Sequence, residues 1–367
     1  MPRPAVAQQR MSMGELEVAV KKDSNDPVLH YNLAQAYARA KRGREAKQQY
    51  LAAMRIDDQF EPAVTALAMM AQNDRPILLI LRLGNRYVLI GGHPNPHDST
   101  LMLVRRAFAL DPIQDLRTPG HWGYPQYWAN TFERAVGRYQ SGEYQAARDL
   151  CDTILAGMRK QSDADSGIAT VWWYHLLASA GLEDYDRAIE DGEKLLDRAL
   201  RLELADSMNT TERLSHEYEW VLAHLHQRAR HYVEAERLYK RVAEADLGAY
   251  MAHVELANMD EAQNRLEDAV TERERAMAAD IGDPSLELQA GLSYEYAGHH
   301  AQADTVLRQA IKDNPRETRS YYVLGLVDIA LGRADDAKQA LDQFLALAPS
   351  RYETMRTDAR SRRAALN

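Results

Sequence analysis

The densest group of metal-capable side chains lies in Gly91-Gly92-His93-Pro94-Asn95-Pro96-His97-Asp98. Two imidazoles and a carboxylate in one loop, with His121 as a third imidazole, form a donor set that a divalent transition metal accepts. The same residues are good turn chemistry. Pro-Asn-Pro followed by His-Asp-Ser leads into a helix N-cap at Asp98 or Ser99, and that structural reading is the stronger. His216-Glu217 opens like a zinc-protease helix, but Trp220 stands where the second histidine belongs. His224 and His226, two apart on a helix, point roughly 200° away from each other and cannot grip one ion. Cys151 is the single cysteine, so there is no intrachain disulfide and no thiolate cage, and its register places it in a core. No phosphate-cradling glycine loop, dinucleotide fingerprint or G-x-S-x-G elbow occurs. These residues argue for a protein that is not an enzyme and carries no cofactor. The alternative is an enzyme or metal protein with its site in residues 76–127.

Composition narrows the partners. The chain has 367 residues, 46% hydrophobic and 27% charged, with 45 Lys and Arg against 54 Asp and Glu, a formal charge of −9. An acidic chain has no electrostatic footprint for nucleic acid or for an anionic membrane. The same charge, with no basic stripe, disfavours an RNA-binding helical repeat. The most apolar run, Ile77–Gly92, is broken by Arg82, Asn85 and Arg86, whereas a spanning helix needs roughly 20 apolar residues. Ala5-Val6-Ala7 resembles the small-residue end of a signal peptide without its apolar core. The expected location is the cytoplasm by default, or an exported compartment if an upstream signal has been lost.

The elements that position these residues repeat. Ala235, Ala269, Ala303 and Ala337 are spaced by 34 residues each time. Upstream of them lie the pairs Leu222-Ala223, Leu256-Ala257, Ala290-Gly291 and Leu324-Gly325. Downstream come Val242, Ala276, Ala310 and Phe344, and two units close with Pro315 and Pro349. The glycines at 142, 298 and 332 fall between paired helices A and B, where a helix end often needs positive φ. Small residues such as Ala34, Ala46, Gly291, Ala303, Gly325 and Ala337 let those helices approach closely.

With Tyr321-Tyr-Val-Leu-Gly-Leu-Val-Asp328, Gly332, Ala337 and Pro349, this pattern resembles the tetratricopeptide repeat family. Residues 284–317 and 27–60 carry similar copies, and weaker ones cover 128–161 and 169–202. The resemblance implies an all-α fold, a right-handed α-solenoid of stacked antiparallel helix pairs, and a scaffold that binds a peptide or protein segment in its concave groove. Carried over position by position, it places groove contacts at Tyr31, Gln35, Arg39, Phe132, Trp173, Trp220, His224, Arg228, Val254, Asn258, Leu288, Glu295, Tyr296 and Tyr322. Several of these aromatics have an equally good reading as packing between helices. Chaperone-binding members of the family carry a lysine/asparagine carboxylate clamp. Tyr31 and Gln35 stand where that clamp begins, which argues against that type.

The expected divisions are N-terminal repeat helices over 1–75, an irregular insertion over 76–127, a repeat array over 128–350 and a capping helix over 351–367. Within the insertion, residues 76–91 read either as a buried helix or as a hairpin about Gly84-Asn85. The run does not alternate, which favours the helix. The aromatic loop 116–127 reads as a plug or a peptide-gripping insertion. Gly14–Lys22 reads as a lone helix B in register with the first full unit, and its missing helix A suggests that something upstream was lost. The last segment carries five arginines from Arg351 onward, as a solvating cap should.

Overall fold

The computed structural model describes residues 11–74, 79–83, 86–90, 99–114, 128–158, 167–204, 215–246, 248–280 and 283–366. Among these residues the chain is a succession of antiparallel helix pairs. Packing divides it into two compact units, residues 1–71 with 260–367, and residues 72–259. These units do not follow the sequence divisions at 75, 127 and 350.

The first unit begins with α1 (Met13–Lys22), α2 (Pro27–Arg39), α3 (Gly43–Ile56) and most of α4 (Glu61–Asp74). A capping box starts α1, with Ser12 and Glu15 satisfying each other's backbone N–H. Asp26 caps α2 and Pro27 occupies its first turn, where a missing N–H costs nothing.

The second unit holds a β-hairpin, β1 (Leu79–Leu83) with β2 (Arg86–Ile90), and then α5 (Ser99–Leu110). Leu83 pairs with Arg86 and Leu79 with Ile90 in antiparallel register. The helix favoured over 76–91 is therefore replaced by the hairpin. Two residues of turn type separate segments rich in Ile, Val and Tyr, and that local signal outweighs the lack of alternation. The unit continues with α6 (Ala129–Gln140), α7 (Tyr144–Met158), α8 (Ile168–Gly181), α9 (Tyr185–Leu204), α10 (Ser215–Arg228), α11 (Tyr232–Ala245) and most of α12 (Tyr250–Ala262).

The remainder of the first unit comprises α13 (Leu266–Ala279), α14 (Pro284–Tyr296), α15 (His300–Asp313), α16 (Thr318–Ala330), α17 (Ala334–Leu347) and the cap α18 (Glu353–Ala365). Its apolar clusters are built from helix-pair faces. One runs from Val270 through Leu288, Leu307 and Val323 to Ala340, and the next contains Leu341, Phe344 and Ala359. Ala46, Ala235, Ala269, Ala303 and Ala337 are all fully buried, as the repeat spacing requires. At Gly325 a Cβ would stand 2.7 Å from Leu341 Cδ2, so the absent side chain is what lets α16 and α17 close.

The A–B turns share one backbone solution. Lys41, Gly142, Glu183, Arg230, Asn264, Gly298 and Gly332 all have positive φ, between 58° and 79°. The residue after each turn residue closes the helix end by bonding five residues back: His299 N–H reaches the Tyr294 carbonyl at 2.8 Å and Arg333 N–H reaches that of Asp328 at 2.8 Å. This is the left-handed helix ending that glycine favours. Four of the seven positions lack glycine.

In the first unit, the loops after α1 and α3 dock on the N-terminal parts of α14 and α16 and on the segment that follows α17. Asp23 Oδ2 accepts from Ser350 N at 2.7 Å and from Ser350 Oγ at 2.8 Å. Asp26 faces Arg351 at 3.3 Å and Asp57 faces Arg319 at 3.5 Å. Ser285 donates to Asp58, and Gln289 donates to Gln59 at 2.9 Å. The carboxylates lie on the N-terminal side, and the guanidinium groups and hydroxyl donors on the C-terminal side. This seam joins segments more than two hundred residues apart.

Candidate protein-binding surface

The helix A residues singled out by the resemblance fall into three environments. The first is the interior. Trp173 is 1% exposed, because α8 is apolar around nearly its whole circumference and such a helix is buried on every side. Trp173 therefore packs between helices and offers no surface to a partner. Phe132, Val254 and Leu288 are likewise buried.

The second environment is a helix A face covered by the chain itself. In the second unit, the indole Nε1 of Trp220 donates to the Phe108 carbonyl at 3.2 Å. Its ring meets those of His224 and Tyr239 edge-on, at 4.2 Å and 5.4 Å between centroids. Burial lowers the proton affinity of His224, and its Nδ1 lies 3.1 Å from the Trp220 carbonyl oxygen. One helical turn further, Arg228 donates to Asp111 Oδ1 at 3.0 Å. Asp111 also accepts from the Ile113 N–H at 3.0 Å, and residues 111–114 are all buried. Trp220, His224 and Arg228 are thus not an open groove. The end of α5 and the segment after it occupy their face.

In the first unit, the Tyr31 ring meets Tyr50 at a tilt and Phe60 edge-on, with both centroids 5.8 Å away, and its hydroxyl accepts from Gln35 Nε2 at 3.0 Å. Tyr322 donates to Asp358 at 2.7 Å, and its ring lies 5.2 Å from that of Phe344. Burial first, and then Asp358, push its hydroxyl up to about 12. The cap helix α18 thus holds Tyr322 in place.

The third environment is solvent. Arg39 and Asn258 are exposed, Glu295 is half-buried, and Tyr296 is 57% exposed. Glu295 and Tyr296 end α14, and Arg39 ends α2, all in the first unit. Sequence reasoning overlooked two buried polar clusters. Arg273 lies in the buried register of α13 with Ala269, Val270 and Ala276, and donates to Gln289 at 2.7 Å and to Glu261 and Ser293 at 3.2 Å. Its signal was a cation recurring at an apolar spacing. In the second unit the buried His175 bonds Asp191 through Nδ1 and faces Asp152 at 3.4 Å through Nε2, while Lys194 reaches Asp191 at 2.8 Å.

The nearby Cys151 invites a comparison with a Cys–His–Asp nucleophile, and the electrostatics oppose it. Burial, with Asp152 and Asp191, pushes the thiol up to about 12, and the residue is fully enclosed. A nucleophilic thiolate needs the opposite setting. Among the described residues no group of three His, Cys, Asp or Glu side chains is placed to hold a metal ion. His93, His97 and His121, and the aromatic loop 116–127, lie outside the described residues. No described helix is long and apolar enough to cross a membrane.

The stacked antiparallel pairs, their 34-residue register and their left-handed turns define a helical-repeat protein of the kind that presents surfaces to other proteins. Residues 221–284 and 288–352 match the sequence profile of the tetratricopeptide repeat family, so this part of the chain carries tetratricopeptide repeats. No curated protein matches the sequence. Solved structures with a similar fold include the C-terminal part of a repeat-containing protein from Cytophaga hutchinsonii, 15% identical with a TM-score of 0.49, covering 62% of this chain and 84% of that one. Another is YrrB, described as having an unusual peptide-binding site, 16% identical with a TM-score of 0.42, covering 56% and 97% respectively. A third is MamA, 21% identical with a TM-score of 0.39, covering 47% and 92%.

Proposed function

We propose that the chain is a non-enzymatic scaffold that binds a peptide or protein segment on the helix A surface of its first unit. The observation that carries this reading is Tyr296, a large aromatic left 57% exposed at a helix A position, with the Glu295 carboxylate beside it. Exposed aromatics supply much contact area for little rotamer entropy and serve as anchors, while a neighbouring charge sets direction. Arg39, also in the first unit, belongs to the same set of ligand-facing repeat positions. Trp173, Trp220, His224, Arg228 and Tyr322 leave that set, since other parts of the chain occupy them.

Affinity capture from native cells with the wild-type chain and with Tyr296→Ala tests this. The variant should retain its fold and weaken a captured partner by at least about 1 kcal/mol. Equal capture by both chains would place the partner on another surface.

A further inference from the structure

The covered face of α10 shows what chemistry it accepts. Two contacts on one helix, Trp220 and Arg228, stand eight residues apart, which is about 12 Å along the axis. The first donates to the carbonyl of Phe108, and the second to the carboxylate of Asp111. Phe108 is in the last turn of α5, where carbonyls have no intrahelical donor. Asp111 N–H closes on the Ala107 carbonyl at 3.0 Å, and Pro112 prevents the helix from continuing. The negative end of α5, followed by an acid, therefore meets an indole N–H and a guanidinium. Both contacts suit the helix dipole as well as the side-chain charge. The Arg228 side chain keeps 36% exposure while the Asp111 side chain keeps 10%. The ion pair can thus be approached from its cationic side.

We propose that this face of α10 is an acceptor for a helix C-terminus followed by a carboxylate, that residues 108–114 are its resident occupant, and that a partner segment of the same chemistry enters by displacing them. The proposal rests on the reading of the chain as a binding scaffold. It concerns a second surface, so a loss of binding at Tyr296 leaves its test intact.

The probe is a fluorescent peptide of residues 99–114, and a second peptide carrying Asp111→Lys. Each is titrated into the full-length wild-type chain and into full-length Asp111→Lys, whose own occupant is weakened. The Asp111→Lys chain should bind the natural peptide at least about tenfold more tightly than the reversed one. The wild-type chain should bind the natural peptide more weakly than Asp111→Lys does. Asp111→Ala/Arg228→Glu, whose resident segment has no charge to pair with the new carboxylate, should invert the peptide preference. A folded Asp111→Lys chain that binds neither peptide, or both equally, overturns the proposal. If Asp111→Lys does not fold, hydrogen exchange on the wild-type chain decides. A large excess of the natural peptide must speed exchange at 108–114, and unchanged exchange overturns the proposal.

Discussion

Asn25 and Leu347 stand 322 residues apart in sequence, and the Asn25 side-chain amide donates to the Leu347 carbonyl at 3.3 Å. Leu347 ends α17, so the bond satisfies a carbonyl that its helix cannot. The reciprocal bond exists at the other end of the seam. Asn314, just past α15, donates to the carbonyl of Ile56, the last residue of α3, also at 3.3 Å. Each edge thus caps a helix of the other. Asn25 also reaches the Arg316 carbonyl at 2.9 Å.

Removing either amide should therefore loosen the seam. Asn25→Ala and Asn314→Ala should each lower stability by about 0.5–1.5 kcal/mol, the net value of a protein hydrogen bond. Their effects should couple, because both side chains bond Arg316: Asn25 donates to its carbonyl, and the Arg316 N–H donates to Asn314 Oδ1 at 3.1 Å. Denaturant midpoints of the two single variants and the double variant check this.

The A–B turns give a test with two signs. Glu183 has φ of 60° and Gly298 has φ of 79° at equivalent turns. A left-handed conformation costs a side-chain-bearing residue about 1–2 kcal/mol, and glycine's extra freedom in the unfolded chain returns part of that. Glu183→Gly should raise stability by about 0.5–1 kcal/mol, and Gly298→Ala should lower it by about 1 kcal/mol. Thermal unfolding of both variants reads the two directions.

Glu287 links stability to pH. Burial first, and then Asp313 and Asp283, raise its carboxyl from 4.5 to about 7, and Oε2 has no hydrogen-bond partner among the described residues. The folded chain therefore holds this proton more tightly than the unfolded chain. The contribution of Glu287 is fully favourable below about 4.5 and is lost as pH rises to about 7. Glu287→Gln should be more stable than wild type at pH 8 and nearly equal to it at pH 4. Denaturation curves at both values check the sign.

Trp220 is buried at 5% exposure among His224, Tyr239 and the α5 end. Trp220→Ala should cost about 3–5 kcal/mol, as truncation of a core aromatic does. Equilibrium denaturation measures it. The surface reading of Trp220 would have left stability unchanged.

Much of this architecture was legible because it is periodic. Ala235, Ala269, Ala303 and Ala337 announce the register, and all are fully buried. Gly142, Gly298 and Gly332 announce the turns. Lys41, Glu183, Arg230 and Asn264 adopt the same conformation, but their side chains carry no comparable sequence signal. The hairpin at 79–90 was obscured by a run apolar on both faces. The occupants of Trp220 and Arg228 come from more than one hundred residues away. Carried-over groove positions assume that helix A faces stay open, and nothing periodic marks the segment that covers this one. The seam is equally non-local: Asp23 and Ser350 follow no common spacing.

The central claim is that the chain uses some of its own repeat edges and faces, leaving the remainder for partners. The seam tests it most directly through Asp23 and Ser350, whose side chains touch at 2.8 Å. With the buried Cys151 replaced by Ser, the full-length double variant Asp23→Cys/Ser350→Cys should form an intramolecular disulfide in dilute solution. Non-reducing electrophoresis should show a faster-migrating monomer that reverts on reduction. A double variant that stays reduced under oxidising conditions, or that cross-links only between chains, would contradict a seam closed within one molecule.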